Sequence, residues 1–443
     1  MDEQVINSRI KQLFMEINSY WIKTTARLNE GSGSWTRRRK MPLSDIINCT
    51  LGKKGLSTAI ELRQFSRAAG KAEQQVSKQD YLKQRQNLNP QAFIVLNRNY
   101  LKRFYESEEP KGWEGYLVLV VDGSRAEIPN SRENREKYGE ATNQYGKGVA
   151  RASLSVLYDM YNQFILNIEI DPYNTSEIEA AKAHIEELKE IVGGRPVLII
   201  FDRLYASLEF IDVLEKAGIN YLMRVQSGAY GAELEQMEQN DEEVELAHTK
   251  WRVRAVKRSD PGRVEEFKKK KLTRARIVKT IFENGQAGTY ITSLREGASY
   301  DILELYRNRW AIEKKYNTLK NKMKFESVTG KASIYVEQDF WAQTLVFNML
   351  QDIIKVAEQR AAARAKEKKY LYEVRVNENI AIGLFKEQFI QLMVEDDYHR
   401  KDVMFKRLIT DMEKNIVPIR KLKNSPRKWN NVNKYKCNQK PTF

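Results

Sequence analysis

Residues 116–124 read YLVLVVDGS, and residues 196–202 read PVLIIFD. Each is an uninterrupted apolar run that closes on an aspartate, Asp122 in the first and Asp202 in the second. A strand that is apolar at every position presents greasy side chains to both faces, so it belongs inside a sheet covered on both sides. In such α/β sheets the C-terminal ends of the strands open on a crevice. Working outward, strand-like runs occupy 152–158, 163–170 and 221–225, and helical patterns occupy about 177–191 and 207–217. Ser176 and Glu179 stand at capping-box spacing before the first of these helices. The order βββαβαβ predicts a mixed sheet flanked by helices, an α/β core.

The flanks have a different texture. Ile6, Ile10, Leu13, Phe14 and Ile17 fall at helical spacing, as do Leu43, Ile46, Ile47 and Leu51 after Pro42. A Gly/Ser break at 31–34 separates them, and a Lys- and Gln-rich stretch from Lys71 to Gln86 reads as a solvated helix face or linker. After the core, an acidic stretch from Glu233 to Glu245 precedes alternation at Trp251–Ala255 and again at Thr273–Ile281. Asn284-Gly285 then turns into Thr289–Ser293, so this segment is expected as a small insertion of antiparallel strands with a basic face. One long helix is expected from Ser299 to about Phe325, and further helices from 335 to 415. The expected division is a helical region at 1–110, the first part of the core at 111–226, a β-rich insertion at 227–298, the second part of the core at 299–355, and a helical region with a basic tail at 356–443.

Composition limits the classes of function. No apolar run approaches the ~18 residues of a membrane span, and the N-terminus is polar and acidic, so a soluble cytoplasmic protein is expected. Two cysteines and three scattered histidines exclude a disulfide framework and argue against zinc chemistry. Net charge is +16, and the positive residues are clustered at Arg37–Lys40, at Lys268–Lys279 and from Lys414 onward. That last stretch holds nine Lys/Arg and no acid, with Trp429 and Tyr435 interleaved. Clustered cations with aromatic rings among them suit a nucleic-acid partner. Arg37, Arg38 and Arg39, preceded by helices and placed ahead of the core, are expected to contribute to recognition of particular DNA sequences. Lys268–Lys271 and the tail are expected to give non-specific phosphate contacts.

A third acid completes a reactive set. On a helix at 100° per residue, Tyr306, Arg309, Glu313 and Lys320 fall within a stripe roughly 60° wide, beside an apolar stripe of Leu305, Ile312, Leu319 and Met323. Three carboxylates drawn together repel by ~4 kcal/mol per pair at 4 Å and an effective dielectric near 20. They persist only with divalent cations or raised pKa values. Oxygen-only ligands favour Mg2+ or Mn2+, and two such ions can activate a water or 3′-hydroxyl against a phosphodiester. Arg309 and Lys320 would then grip phosphates near the cut.

Tyr306-x-x-Arg309-x-x-x-Glu313-x-x-x-x-x-x-Lys320 resembles the Tyr-Arg-Glu-Lys signature of the insertion sequence four family of bacterial DDE transposases. Asp122-Gly123-Ser124 and Asp202-Arg203-x-Tyr205 resemble the motifs that carry that family's two aspartates. The resemblance implies a ribonuclease H-like catalytic core, a β-strand insertion before the Glu313 helix, and helical flanks. It implies two Mg2+ (or Mn2+) ions on Asp122, Asp202 and Glu313. Tyr306, Arg309 and Lys320 would contact DNA near the transferred strand end, while Trp310 would either stack on a distorted base or pack in the core. The implied partners are double-stranded DNA, as element terminal repeats and as target, bound by a homodimer with no membrane involved. The implied course is cut-and-paste through hairpinned ends, in a cytoplasmic, nucleoid-associated protein. Three alternatives are open: a nuclease using Asp and Glu313-Lys314-Lys315, a transposase-derived DNA-binding protein without catalysis, and a basic RNA-binding protein.

Overall fold

The structure, a computed structural model, describes residues 3–420 except 30, 32, 38, 143–144, 147, 227, 260, 282–286 and 295–301. Arg38 and the basic tail beyond residue 420 therefore lie outside the described residues, as does the Asn284-Gly285 turn. The chain divides into two compact units. One, the sheet unit, comprises Phe104–Glu127 and Arg135–Lys315; the other, the helical unit, comprises the residues up to Arg103, Ile128–Asn134 and those from Tyr316 onward.

In the sheet unit the strands are β1 (Leu117–Glu127), β2 (Glu140–Thr142), β3 (Gly148–Asp159), β4 (Ile165–Pro172), β5 (Val197–Phe201), β6 (Asn220–Arg224), β7 (Asp241–Ala247), β8 (Leu272–Ile281) and β9 (Ala287–Thr292). They form one mixed sheet in the order β2-β3-β1-β5-β6-β9-β8-β7, with β4 also paired to β3. β1, β5 and β6 run parallel; every other pairing is antiparallel. The two apolar runs that open the sequence reading are its parallel centre, with Leu117–Val121 and all of β5 buried. Helix Glu177–Val192 lies on β3 and β4 through Ala180, Ala181, His184 and Leu188, and its His184 ring nitrogen Nε2 is 3.0 Å from Ser155 Oγ on β3. Ser176 caps this helix by accepting the Ile178 N–H, while Glu179 pairs with Lys182 instead of closing a capping box. Helix Leu208–Ala217 packs on β6 and ends on Gly218, whose left-handed φ of 70° suits a residue without Cβ.

Three expectations change. Asp122 does not end its strand, because β1 continues to Glu127; what ends beside it is the parallel pairing with β5, whose last register pair is Val120↔Ile200. The insertion's strands join the main sheet, since β9 pairs with β6 and carries β8 and β7 outward. Trp251–Ala255 is part of a helix, Lys250–Ser259, not a strand. Alternation over five residues is too short to exclude a helical period. Val253 and Val256 stand one turn apart, Val256 is fully buried, and Trp251 is 78% exposed.

The sequence from 302 to 322 is helical as expected, but its winding varies. Ile302–Arg307 and Ala311–Asn317 are α, Asn308–Trp310 is 3-10 and Thr318–Lys322 is π. The backbone stays in the right-handed helical region at Arg307, Ala311 and Asn317, so the winding alters without a break at those junctions. Arg309 thus lies on a tighter turn than a uniform 100° step assumes.

The helical unit is built around helix Ser333–Glu367, which is buried on all sides over most of its first 25 residues. Helices Glu3–Ile17, Leu43–Leu51, Glu378–Val394 and Tyr398–Lys414 pack around it. Two aspartates on the central helix are fully buried, and each is matched. Asp352 receives Arg9 and the Tyr100 hydroxyl at 2.8–3.0 Å. Asp339 receives Lys53, Arg85 and the Thr329 N–H. Losing one partner of such a pair costs about 3–5 kcal/mol, because the other charge stays buried.

Candidate active site

Asp122 and Asp202 come from neighbouring parallel strands, where the β1–β5 pairing stops. Asp202 follows β5 directly and accepts its own neighbour's N–H, from Arg203, at 2.7 Å as it starts a 3-10 turn. Glu313 comes from the helical segment after β9. Arg309, one turn before it, is buried and ties two of these acids together. Its Nη1 is 3.5 Å from Asp122 Oδ1, and its Nη2 is 3.5 Å from Glu313 Oε1. The Tyr306 hydroxyl donates to Asp202 Oδ1 at 3.3 Å, and the Tyr306 ring is held edge-on against Tyr290 of β9. The sheet unit therefore brings Asp122, Asp202, Tyr306, Arg309 and Glu313 into one cluster.

Trp310 follows Arg309 but is 57% exposed, so it is not a core residue. Lys320 belongs to the helical unit, where its ammonium lies 3.4 Å from Glu326 and over the Tyr316 ring. Arg37 and Arg39 are exposed in the same unit. Four cations of the Lys268–Lys279 cluster are paired within the sheet unit. Lys268 meets Glu265, Lys270 meets Asp212 and Glu215, Arg274 meets Glu245 and Arg276 meets Asp241.

The sequence reading missed one acid. Glu177, the first residue of helix Glu177–Val192, packs over Gly123: a Cβ built on Gly123 would stand 3.0 Å from the Glu177 carboxyl. Asp122 feels three other carboxylates. Burial pushes its carboxyl up to about 7, and Glu313, Asp202 and Glu177 push in the same direction against Arg309. Burial and the charges of Glu177, Asp122 and Asp202 likewise raise the buried Tyr205 hydroxyl. The signal for Glu177 was its place at a helix start, which by itself looks like an ordinary charge at the positive end of a helix dipole.

Among the described residues, no three acids, histidines or cysteines are gathered closely enough to hold an ion as they stand. Arg309 is the cation that two of the acids share. The donor set still fits a hard cation, for it offers only carboxylate oxygens. Asp122 is the mark of that fit, because its carboxylate is disfavoured by burial and by three like charges until more positive charge arrives.

Comparison with known proteins adds a family. The model of the transposase DDE domain family matches residues 113–349. No curated protein matches the chain. A cryo-EM structure of a piggyBac transposase synaptic complex with hairpin DNA is similar at a TM-score of 0.40 and 12% identity, over 95% of this chain and 84% of that one.

Proposed function

This chain belongs to the transposase DDE domain family, and we propose that within it the chain is an insertion-sequence transposase of the Tyr-Arg-Glu-Lys subgroup, cutting DNA at element ends and joining them to target DNA. Asp122, Asp202 and Glu313 would hold the metal. Two Mg2+ or Mn2+ ions there would neutralise the phosphodiester and activate the attacking oxygen. The observation that carries this reading is Arg309, bridging Asp122 and Glu313 while Tyr306 of the same turn region reaches Asp202.

The protein's own side chains have separable duties. Arg309 offsets the repulsion between two acids and keeps them at the site edge, where its guanidinium can also meet a phosphate. Tyr306 fixes the rotamer of Asp202. Trp310, with an exposed ring beside them, is placed to stack on a base displaced from the duplex. Lys320 would contact DNA near the transferred strand end, and Arg37, Arg38 and Arg39 would contribute to recognition of the end sequences. Both element ends must be cut for cut-and-paste movement, so a homodimer on DNA is the expected assembly.

The test uses DNA carrying the repeats that flank the reading frame, with wild-type, Asp122→Asn and Glu313→Gln protein. Cutting at the repeats should require Mg2+ or Mn2+, and each variant should lose at least roughly a thousandfold, on the scale of removing a key electrostatic group. Equal binding by all three proteins with no cutting by any would leave a DNA-binding descendant in place of the enzyme.

A further inference from the structure

The helical unit contains a cleft of about 780 Å3 between the segment around Trp35 and helix Lys78–Arg85. That volume lies in the ~300–1,000 Å3 range of pockets that enclose a single small molecule, and it is far too small for a duplex. Its walls carry Arg37, Arg39 and Lys40 on one side and Lys83 on the other, against one acid, Asp80. Among the described residues the side chains of those four cations make no ion pair, in contrast to the paired cations on the sheet unit. Asp80 is engaged by the Ser77 hydroxyl at 2.7 Å. The cleft is therefore built for an anion.

Two further features give the anion a body. Trp35 is fixed in place: its indole N–H donates to the Ala26 carbonyl at 3.0 Å, and its backbone holds a φ of 66°. A non-glycine residue keeps that conformation only when its surroundings hold it there. A ring immobilised at the wall of a cationic cleft is a stacking surface. Gln84 also lines the cleft, and among the described residues its side-chain oxygen is buried without a donor. A buried acceptor left open is costly, and a turn of the Gln84 amide toward the cleft would bring it to an N–H on an entering ligand. A phosphodiester has no proton to give at neutral pH; a nucleobase does.

We propose that this cleft takes one nucleotide, with its phosphate toward Arg37, Arg39 and Lys40 and its base against Trp35 and Gln84, and that the nucleotide is an unpaired one of a DNA strand. The inference rests on the reading of the chain as a DNA-cutting transposase and adds a second DNA contact remote in sequence from the acids. A free mononucleotide shares the same chemistry, and the experiment separates the two sources.

Full-length protein is titrated with labelled duplexes that are blunt or carry a short single-stranded overhang, and with deoxynucleoside monophosphates or inorganic phosphate as competitors. Wild type should prefer the overhang by roughly 5- to 100-fold, the effect of stacking one base. Trp35→Ala and Gln84→Leu should each remove most of that preference, and Arg37→Gln with Arg39→Gln should weaken both DNAs together. Trp35 also anchors its own segment, so Gln84→Leu, which keeps the side chain's bulk, decides the matter if Trp35→Ala unfolds. Equal affinity for blunt and overhanging DNA, or a preference untouched by Gln84→Leu, overturns the proposal. Competition by monophosphates without any overhang preference assigns the cleft to free nucleotides and overturns the strand. Competition by inorganic phosphate as strong as by monophosphates removes the base from the site. Metal-dependent cutting by a protein with no overhang preference would refute the cleft alone. Overhang preference in a protein that never cuts would refute the catalytic reading alone.

Discussion

At the scale of single residues, the site is a balance of charge in a small space. Three carboxylates bear on a fourth, Asp122, and one buried guanidinium answers two of the four. The balance depends on a position with no side chain. Gly123 lets Glu177 approach Asp122, and Gly123→Ala would place a methyl group 3.0 Å from the Glu177 carboxyl. The obstacle is the end of a flexible side chain, so the fold should tolerate the change and melting should hardly move. Glu177 should swing away, altering the field at Asp122 and the geometry of the acids. Cutting should fall roughly ten- to a hundredfold, the range expected when catalytic groups are displaced by about an ångström. Activity equal to wild type would mean that Glu177 is a bystander. The grouping of Asp122, Asp202, Tyr306, Arg309 and Glu313 was legible in the sequence, because acids after buried strands and a spaced signature are both local patterns. Glu177 was not legible, since its importance comes from close approach between β1 and a helix that starts more than fifty residues later.

At the scale of elements, β1 and β5 show what the sequence could and could not say. Their unbroken apolar runs placed them in the middle of the sheet, but only hydrogen-bond register shows that β1 outlasts β5 and leaves Asp122 where pairing with β5 has stopped and pairing with β3 continues. The helix at 250–259 and the joining of β9 to β6 were hidden for related reasons: five residues do not resolve a period, and strand order is not written in any one strand. Helix Glu177–Val192 offers a test of how it is fastened to the sheet. His184 is fully buried against Ser155, and burial pulls its imidazole down from the usual 6.5 to about 3. A folded pKa below the unfolded one means that, as pH falls through 6.5, the unfolded chain takes up a proton that the folded chain refuses. Stability from this group is complete above 6.5 and is lost toward 3, at about 1.4 kcal/mol per pH unit. Glu169 on β4 acts in the opposite sense, since burial pushes its carboxyl up to about 7 and the folded state protonates first as pH falls. The wild-type curve mixes the two, so the measurement is the stability difference from His184→Gln. That difference should shrink by about 2–3 kcal/mol between pH 6.5 and 4.5. A difference independent of pH would show that His184 titrates alike in the folded and unfolded chain.

At the scale of the whole molecule, the net charge of +16 is not spread evenly in effect. The Lys268–Lys279 cluster is conspicuous in sequence, yet Lys268, Lys270, Arg274 and Arg276 pair with Asp212, Glu215, Asp241, Glu245 and Glu265. Sequence clustering shows where cations are dense; only folding shows which acids come to meet them. Exposed pairs are weak and can reopen toward a phosphate, but each phosphate contact made that way first gives up a partner. The stretch beyond residue 420 has seven Lys/Arg and no acid in its sequence. Non-specific DNA affinity should therefore depend on this tail more than on the internal cluster. Each phosphate neutralised contributes about 0.9 to the slope of log K against log salt. Ending the chain after residue 420 should lower that slope by roughly three to six, if half or more of the seven cations meet phosphate. Replacing Lys268, Lys269, Lys270 and Lys271 by Gln should lower it by about two or less, although it removes four charges, because Lys268 and Lys270 are already paired. Binding measured from 50 to 200 mM salt on non-specific duplex distinguishes the two. Equal loss per charge removed would mean that the acids of the sheet unit do not restrain their lysines, and that position in the fold has no part in where this protein holds DNA.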